Sequence, residues 1–536
     1  MRGTPLKPLR PRATIVIPHS YEPHRQRQYC IYYQPNSDIC RKVFVHNNCI
    51  CNEEIALRNR VLFECIQPDH KRLTQCRLIA RLIADWLPRE QRQDGEWIDQ
   101  YSGRKRRKYL DAYYDLATRP IRRSDAYVSA FVKAEKIFEL KDPRLIQARS
   151  ARYNCELANY LKPIEHHLYN IKGTGRLRKF LPNGRLIAKG CNMERRARLI
   201  KKKMDKFSRP MVISLDASRF DAHVTGMLHV EHLIYKRYWR DPKLHRLLDW
   251  QVRNRGRTSN GIKYSLHCSR MSGDMNTALG NCLISIIVLA NVMRIIGLST
   301  DCWDMLCDGD DVLVFIDTAN SNIIQQLPPL YHEHGFPIKL ENITSNYHEV
   351  LFCQTHPIQT IMGPKMVAVP TRTLSRSLVG VKHWSEPKYI PKYLALIGYC
   401  ELALNMGVPC LQEFALMVLS WGTTLPTNLQ MSGRVVKAMR EERAHPIVPL
   451  PITPEARSSF EEATGISITE QRSLEQAFRA LSRHGSKEET HSVDQPASAW
   501  RWHWSAPNTA RSQGEGSVRS EAPRPTGWPT HWIPWG

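Results

Sequence analysis

With 536 residues the chain is longer than one hydrophobic core ordinarily serves, so several lobes are expected. Lys and Arg number 77 against 51 Asp and Glu, a formal charge of +26 that draws polyanions by long-range field and counterion release. A hydrophobic content of 42% excludes a merely basic, disordered tail and points to a folded body that grips nucleic acid.

In chain order, Met1–Pro11 is basic and proline-rich without an apolar stretch, so no cleavable signal peptide is expected, and Met1–Pro23 reads as a flexible arm. Cys30, Cys40, Cys49, Cys51, Cys65 and Cys76 crowd the first eighty residues near His46. Without a CxxC pair they read as reduced thiols rather than a zinc site. Ile55–Trp86 has apolar residues three and four apart and predicts a helical stretch. The run Arg104–Lys108 reads as a nuclear-import signal or a solvated face that touches phosphates.

Val128–Ile137 and Pro143–Gln147 read as short basic strands, and Pro210–Leu215 as a stronger strand beginning at proline. Met275–Ile296 predicts a long apolar helix, and Met305–Ile316 a hairpin with Asp308-Gly309-Asp310-Asp311 at its tip. Neither Cys282–Leu298, which contains Asn291 and Arg294, nor Tyr393–Val408, interrupted by Glu401, reaches the clean apolar length a bilayer needs. No transmembrane segment is expected. After Tyr389 the pattern is helical to about Leu481. From Ser486 onward the composition predicts disorder, in a tail carrying Trp500, Trp502, Trp504, Trp528, Trp532 and Trp535. Those rings suit a partner, RNA bases or the body itself, or reflect the tolerance of chain ends.

Three segments carry chemistry. Asp216 ends the strand in Ser214–Asp221, with Asp221 on the turn beyond. Asp308, Asp310 and Asp311 crowd one hairpin turn, where like charges repel unless a cation joins them. Carboxylates so placed suit two Mg²⁺ ions about 3.5–4 Å apart, which activate a hydroxyl and stabilise a leaving pyrophosphate. Between them, Met271–Asn281 opens the long helix. Ser272-Gly273 reads as a flexible loop, Asp274 as the N-cap, and Asn276, Thr277 and Asn281 as polar groups that need partners or a ribose 2′-hydroxyl.

Asp216…Asp221, Ser272–Thr277…Asn281 and Gly309-Asp310-Asp311 resemble palm motifs A, B and C of viral RNA-dependent RNA polymerases, more narrowly of the tombusvirus-like group. Phe131–Lys136, Pro143–Gln147, Ala151–Asn154 and Tyr160–Glu165 are similar to that group's fingers motif F and its flank. Gly335–Glu341 resembles motif D, Phe352–Gln354 motif E, and Val45–Asn48 the N-terminal region. The resemblance covers roughly residues 45–400.

It implies an α+β fold, a closed right hand of fingers, palm and thumb around an antiparallel palm sheet. The implied divisions are an N-terminal arm and fingers-associated region at 1–118, fingers at 119–209, palm at 210–375 with a fingers insertion near 222–265, helical thumb at 376–481, and tail at 482–536. Asp216, Asp310 and Asp311 would hold two Mg²⁺ or Mn²⁺ ions. Asp221, Ser272, Asn276, Thr277 and Asn281 would read the ribose, and Lys133, Lys136 and Arg144 would neutralise the incoming triphosphate. Lys339 would be the general acid and Phe352–Gln354 would seat the nascent strand.

The basic set Arg195, Arg196, Arg198 and Lys201–Lys203 reads as a template or nucleotide path, or as a solvated helix face. Asp308 departs from the expected apolar or asparagine residue before the turn, and its charge reads as solvated. Implied partners are viral RNA template and nascent strand, ribonucleoside triphosphates and a membrane-anchored auxiliary replication protein. The implied location is the host cytoplasm, in membrane-associated replication complexes. A reverse transcriptase should place an aromatic ring against the 2′-hydroxyl. A non-catalytic RNA-binding protein has no use for acidic turns, since each carboxylate opposes RNA.

Overall fold

The computed structural model describes residues 5–18, 27, 29–33, 38–381, 384, 386–423, 438 and 445–482. The tryptophan-bearing tail lies outside the described residues. The chain opens with β1 (Thr14–Val16), β2 (Tyr29–Ile31) and β3 (Phe44–Val45), then runs through helices Ile50–Ala56, His70–Trp86 and Gly103–Thr118. There follow β4 (Val128–Val132), β5 (Lys136–Ile137), β6 (Leu145–Ala148), helices Ala151–Tyr169 and Met193–Met204, and β7 (Pro210–Ala217). Helices Met227–Trp239 and Pro242–Val252 lead into β8 (Arg253–Thr258) and β9 (Lys263–His267). Helix Thr277–Ile296 precedes β10 (Trp303–Asp308), β11 (Asp311–Asp317) and β12 (Ile338–Thr344), then β13 (Thr355–Thr360), β14 (Gly363–Ala368) and β15 (Val379–Val381). Helices Ile390–Asn405, Leu411–Trp421, Pro454–Thr464 and Ile468–Leu481 end the described chain.

An antiparallel sheet in the order β10-β11-β7-β12 lies at the centre. Strands β7, β10 and β11 are largely apolar on both faces because each face is covered, while β12 at the edge exposes alternate residues. Ile213, Leu215, Met305 and Val314 join the core built around helix Thr277–Ile296. The alternate residues Val212, Leu306, Leu313 and Phe315 pack with Ala197 and Ile200 of helix Met193–Met204. Helix Thr277–Ile296 is long and apolar enough to cross a membrane, but its apolar window is 83% buried inside the protein. A helix apolar all round is satisfied by a protein interior as well as by lipid. The C-terminal helices share a separate core around Phe414, Met417, Phe460 and Phe478.

A second sheet, ordered β1-β9-β8-β4-β6, packs Val128, Val132, Tyr264 and Leu266 over helix Ile50–Ala56. Its β1 corrects the expectation of a flexible arm. Thr14–Val16 pairs with β9, and the buried Arg10 donates to the carbonyl oxygens of Val61 at 2.8 Å and Phe63 at 3.1 Å. Backbone pairing and the bonds from Arg10 Nε and Nη2 tie the segment down. The helical expectation for Ile55–Trp86 also divides. A π-helical turn at Leu57–Val61 ends the first helix, and the next starts at His70 after Pro68, with the Asp69 carboxylate accepting from the Arg72 N–H.

Candidate active site

Sheet register brings the acidic residues together. Val312 lies opposite Leu215, which sets Asp311 beside Asp216, and Lys339 on β12 lies directly across from Asp216. Asp308 pairs with Asp311, leaving Gly309 and Asp310 as a two-residue turn. Gly309 has φ +83°, the left-handed value that such a hairpin requires at its first central position. The turn is fastened to the long helix: the Ser285 hydroxyl donates to the Gly309 carbonyl at 2.9 Å, and the Gly309 N–H donates to Cys282 Sγ at 3.1 Å.

Solvent reaches the Asp310 and Asp311 side chains, yet the surrounding protein desolvates their carboxylates. Burial first, and then the charge of Asp221, pushes the Asp310 carboxyl up to about 6. Burial, then Asp310, Asp308 and Asp216, pushes Asp311 up to about 7 against a hydrogen bond from the Cys353 thiol. Glu341, near Asp216 and Lys339, is likewise raised, first by burial. The site holds more negative charge than its surroundings solvate, and a divalent cation answers that.

Asp308 is not solvated, which corrects the expectation from sequence. It forms ion pairs with Lys189 and Arg196, all three enclosed. Burial alone would raise its carboxyl, but the two cations hold it well below the usual carboxylate range. The reason is topological: the Ile187–Cys307 bridge and helix Met193–Met204 bring Lys189 and Arg196 against the hairpin. Arg196 is therefore neither a solvated face residue nor free for a template. Lys203 is buried too, paired with Asp304 at 2.6 Å, while Arg198 pairs with Glu194 in the same helix at 3.0 Å.

Asp274 is not the N-cap of the long helix. It accepts from the buried Arg149 guanidinium at 2.6 Å, and the helix begins at Thr277 without a side-chain cap. Nor is the Ser272-Gly273 loop loose. The Ser272 hydroxyl bonds to the Leu145 carbonyl at 3.2 Å and accepts the Gln147 N–H at 3.1 Å, clamping the loop to β6.

Behind it runs a buried polar chain. Asn281 Nδ2 donates to Asp221 Oδ1 at 2.9 Å, and Arg270 Nε donates to Asn281 Oδ1 at 3.1 Å. Arg270 pairs with Glu231, which accepts from Asn276 Nδ2 at 2.7 Å, and Asn276 Oδ1 accepts from Gln251 Nε2 at 2.8 Å. Thr277 Oγ1 donates to the Met271 carbonyl at 2.9 Å. Asn276 is thus fully enclosed, whereas Asp221 stands at the end of the chain nearest Asp310.

Glu135 gathers the motif F cations, with Lys133 at 3.5 Å and Arg144 at 3.3 Å. Lys136 instead turns to the Arg376 carbonyl at 2.8 Å and the Tyr393 hydroxyl at 3.3 Å. Phe352 is buried, and the next two residues, Cys353 and Gln354, hold positive φ. Among the described residues, Glu90, His166 and His167 present metal-ligating atoms within 4.8 Å of one another, on elements apart from the acidic turn, whose carboxylates are not drawn that close.

The model of the family described as viral RNA-dependent RNA polymerase matches residues 17–485. The chain belongs to that family. An RNA-directed RNA polymerase of Groundnut rosette virus (strain MC1) is 34% identical over 402 residues, covering 72% of this chain and 46% of the relative. That of Turnip crinkle virus is 34% identical over 395 residues, covering 69% and 49%, and that of Melon necrotic spot virus 31% over 468 residues, covering 82% and 57%. The chain spans about half the length of the curated relatives it matches. For a chain of this polymerase family, Lys189, Arg149, Glu231 and Arg270 are the residues that motif reading passed over. They have no spacing signature, because each meets its partner across the fold rather than along one element.

Proposed function

We propose that the chain performs template-directed ribonucleotidyl transfer as the RNA-dependent RNA polymerase of a positive-strand RNA virus. One observation carries this reading: the β7–β11 register sets Asp311 beside Asp216 with Asp310 on the adjoining turn, and desolvation together with neighbouring carboxylates (Asp221 for Asp310, Asp310 for Asp311) raises both turn carboxyls. The donor set is all oxygen, which fits Mg²⁺ or Mn²⁺. Asp216 and Asp310 would hold two ions with Asp311 in support. Bound there, the ions would supply Lewis-acid activation of the 3′-hydroxyl and charge relief for pyrophosphate.

The remaining roles belong to side chains of the chain itself. Lys339, one strand from Asp216, gives a proton to the leaving pyrophosphate. Lys133, Lys136 and Arg144 neutralise the triphosphate, where fixed cations act on charge that develops in the transition state. Asp221, Ser272, Asn276, Thr277 and Asn281 select the ribose, with Asn276 acting from the buried side of their network. Phe352–Gln354 seat the nascent strand.

The architecture that goes with this is a closed right hand: the β10-β11-β7-β12 sheet as palm within 210–375, fingers from 119–209 and 222–265, and the helices of 376–481 as thumb. The viral RNA template, its nascent copy and ribonucleoside triphosphates are the ligands. A membrane-anchored replication protein would hold the chain in cytoplasmic replication complexes.

The test is incorporation of labelled ribonucleotides on an RNA template by purified protein with Mg²⁺ or Mn²⁺, beside Asp310→Ala. Incorporation lost in the variant, with deoxynucleotides used poorly, is the expected result. Equal incorporation by both proteins sinks the assignment of the centre, and efficient use of deoxynucleotides favours a reverse transcriptase.

A further inference from the structure

The β1-β9-β8-β4-β6 sheet buries one face and leaves the other to solvent. Alternation along β8 turns Asn254 and Thr258 inward and Arg253, Arg255 and Arg257 outward. Register sets Arg253 opposite His267, Arg255 opposite Ser265 and Arg257 opposite Lys263. Arg12 adds its charge beside His267, and Arg123 beside Arg255. The outward positions of the five strands hold no carboxylate. Among the described residues none pairs with Arg253, Arg255, Arg257 or Lys263. Like charges directly opposite across two strands, as at Arg257 and Lys263, destabilise a sheet. An external polyanion removes that cost.

A second observation narrows the polyanion. Tyr127, just before the neighbouring strand β4, is 47% exposed, and Phe131 on that strand 37%, both on the same outward parity as Ser129. Ser129 pairs with Arg257 across the parallel β4–β8 ladder, so the two rings flank the arginine row. Phosphates need only the cations. Rings left open beside them offer stacking surfaces, which unpaired bases can use and a duplex cannot.

We propose that this outward face is a platform for single-stranded RNA, separate from the acidic turn on the other sheet: phosphates lie along Arg253–Arg257 and bases stack on Tyr127 and Phe131. The inference needs no catalysis, so its test reads binding alone and can fail independently of the incorporation assay. The probe is a fluorescein-labelled single-stranded oligouridylate, titrated with the full chain by anisotropy across a potassium chloride series.

Replacing Arg253, Arg255 and Arg257 together by serine should weaken binding and reduce the log–log salt slope by about 2, since each phosphate neutralised on a single strand adds about 0.7 to that slope. Tyr127→Ala with Phe131→Ala should weaken binding about tenfold or more with the slope unchanged, as loss of stacking predicts. Thermal unfolding of each variant confirms that it is folded, since every substitution is at an exposed position. Unchanged affinity and slope in both variants would overturn the proposal. So would an arginine variant that loses binding to phosphatidylserine vesicles but keeps RNA, which would make the face a membrane-binding surface. An equal loss on duplex RNA with no effect of the aromatic pair would reduce it to a general basic surface and also overturn it.

Discussion

Replacing Asp308 by asparagine removes a negative charge from between Lys189 and Arg196, whose side chains are 6% and 5% exposed. Two enclosed cations without an anion cost far more than the pair itself contributes, about 3–5 kcal/mol when one partner of a buried bridge is removed. Asp308→Asn should therefore lower the urea midpoint markedly. The same charge raises the neighbouring Asp311, and the cations it neutralises would act on Asp311 unopposed. Both effects run one way: the acid limb of the pH–activity profile should move to lower pH in Asp308→Asn. A limb that moved up would show that Asp308 does not set the ionisation of Asp311. If the role were purely structural, the midpoint would fall while the limb stayed in place.

At the scale of the element, the helix Thr277–Ile296 is held by what it lets approach. A Cβ at Gly280 would lie 2.3 Å from Glu231 Oε1 and 2.4 Å from Arg270 Nη2, inside the buried ion pair. Alanine gains roughly 1 kcal/mol over glycine in a helix interior. Overpacking costs about 1–3 kcal/mol, and here the atoms displaced are a buried ion pair rather than a flexible surface chain end. Gly280→Ala should thus destabilise against its own helix propensity, read by chemical denaturation; a stabilised variant would refute the close approach. This helix also shows what sequence reveals. Its apolar run, the strand that carries Asp216 and the hairpin at Gly309 were legible because periodicity and turn chemistry are local. Asp274 was not, because Arg149 reaches it from far along the chain and outcompetes the capping geometry that Asp274 suggests. The β1 arm was hidden for the same reason: its proline-rich composition says nothing about an edge of β9 waiting to be paired.

Across the whole molecule, the acidic turn couples folding to pH and to metal. Asp310 and Asp311 rise from an ordinary 3.8 to about 6 and about 7. A carboxyl with a raised folded-state pKa binds its proton more tightly in the fold than in the unfolded chain. It therefore withdraws stability as pH climbs from about 4 through about 7, and costs the most above that. Asp308 runs the other way, since its depressed carboxyl contributes stability above the ordinary value and loses it only on acidification below that. The two windows do not overlap at neutral pH, so the turn residues govern there. Without divalent cation the melting temperature should fall between pH 5 and pH 8, on top of whatever the rest of the chain contributes. A cation bound only by the fold adds stability by mass action, and it must compete with protons for the same oxygens. Added Mg²⁺ should then raise the melting temperature more at pH 8 than at pH 5. In Asp311→Asn the pH-dependent fall should shrink and the Mg²⁺ gain diminish together. A Mg²⁺ gain of equal size at both pH values, unchanged in the variant, would place the ion elsewhere and separate the charge of this turn from metal binding.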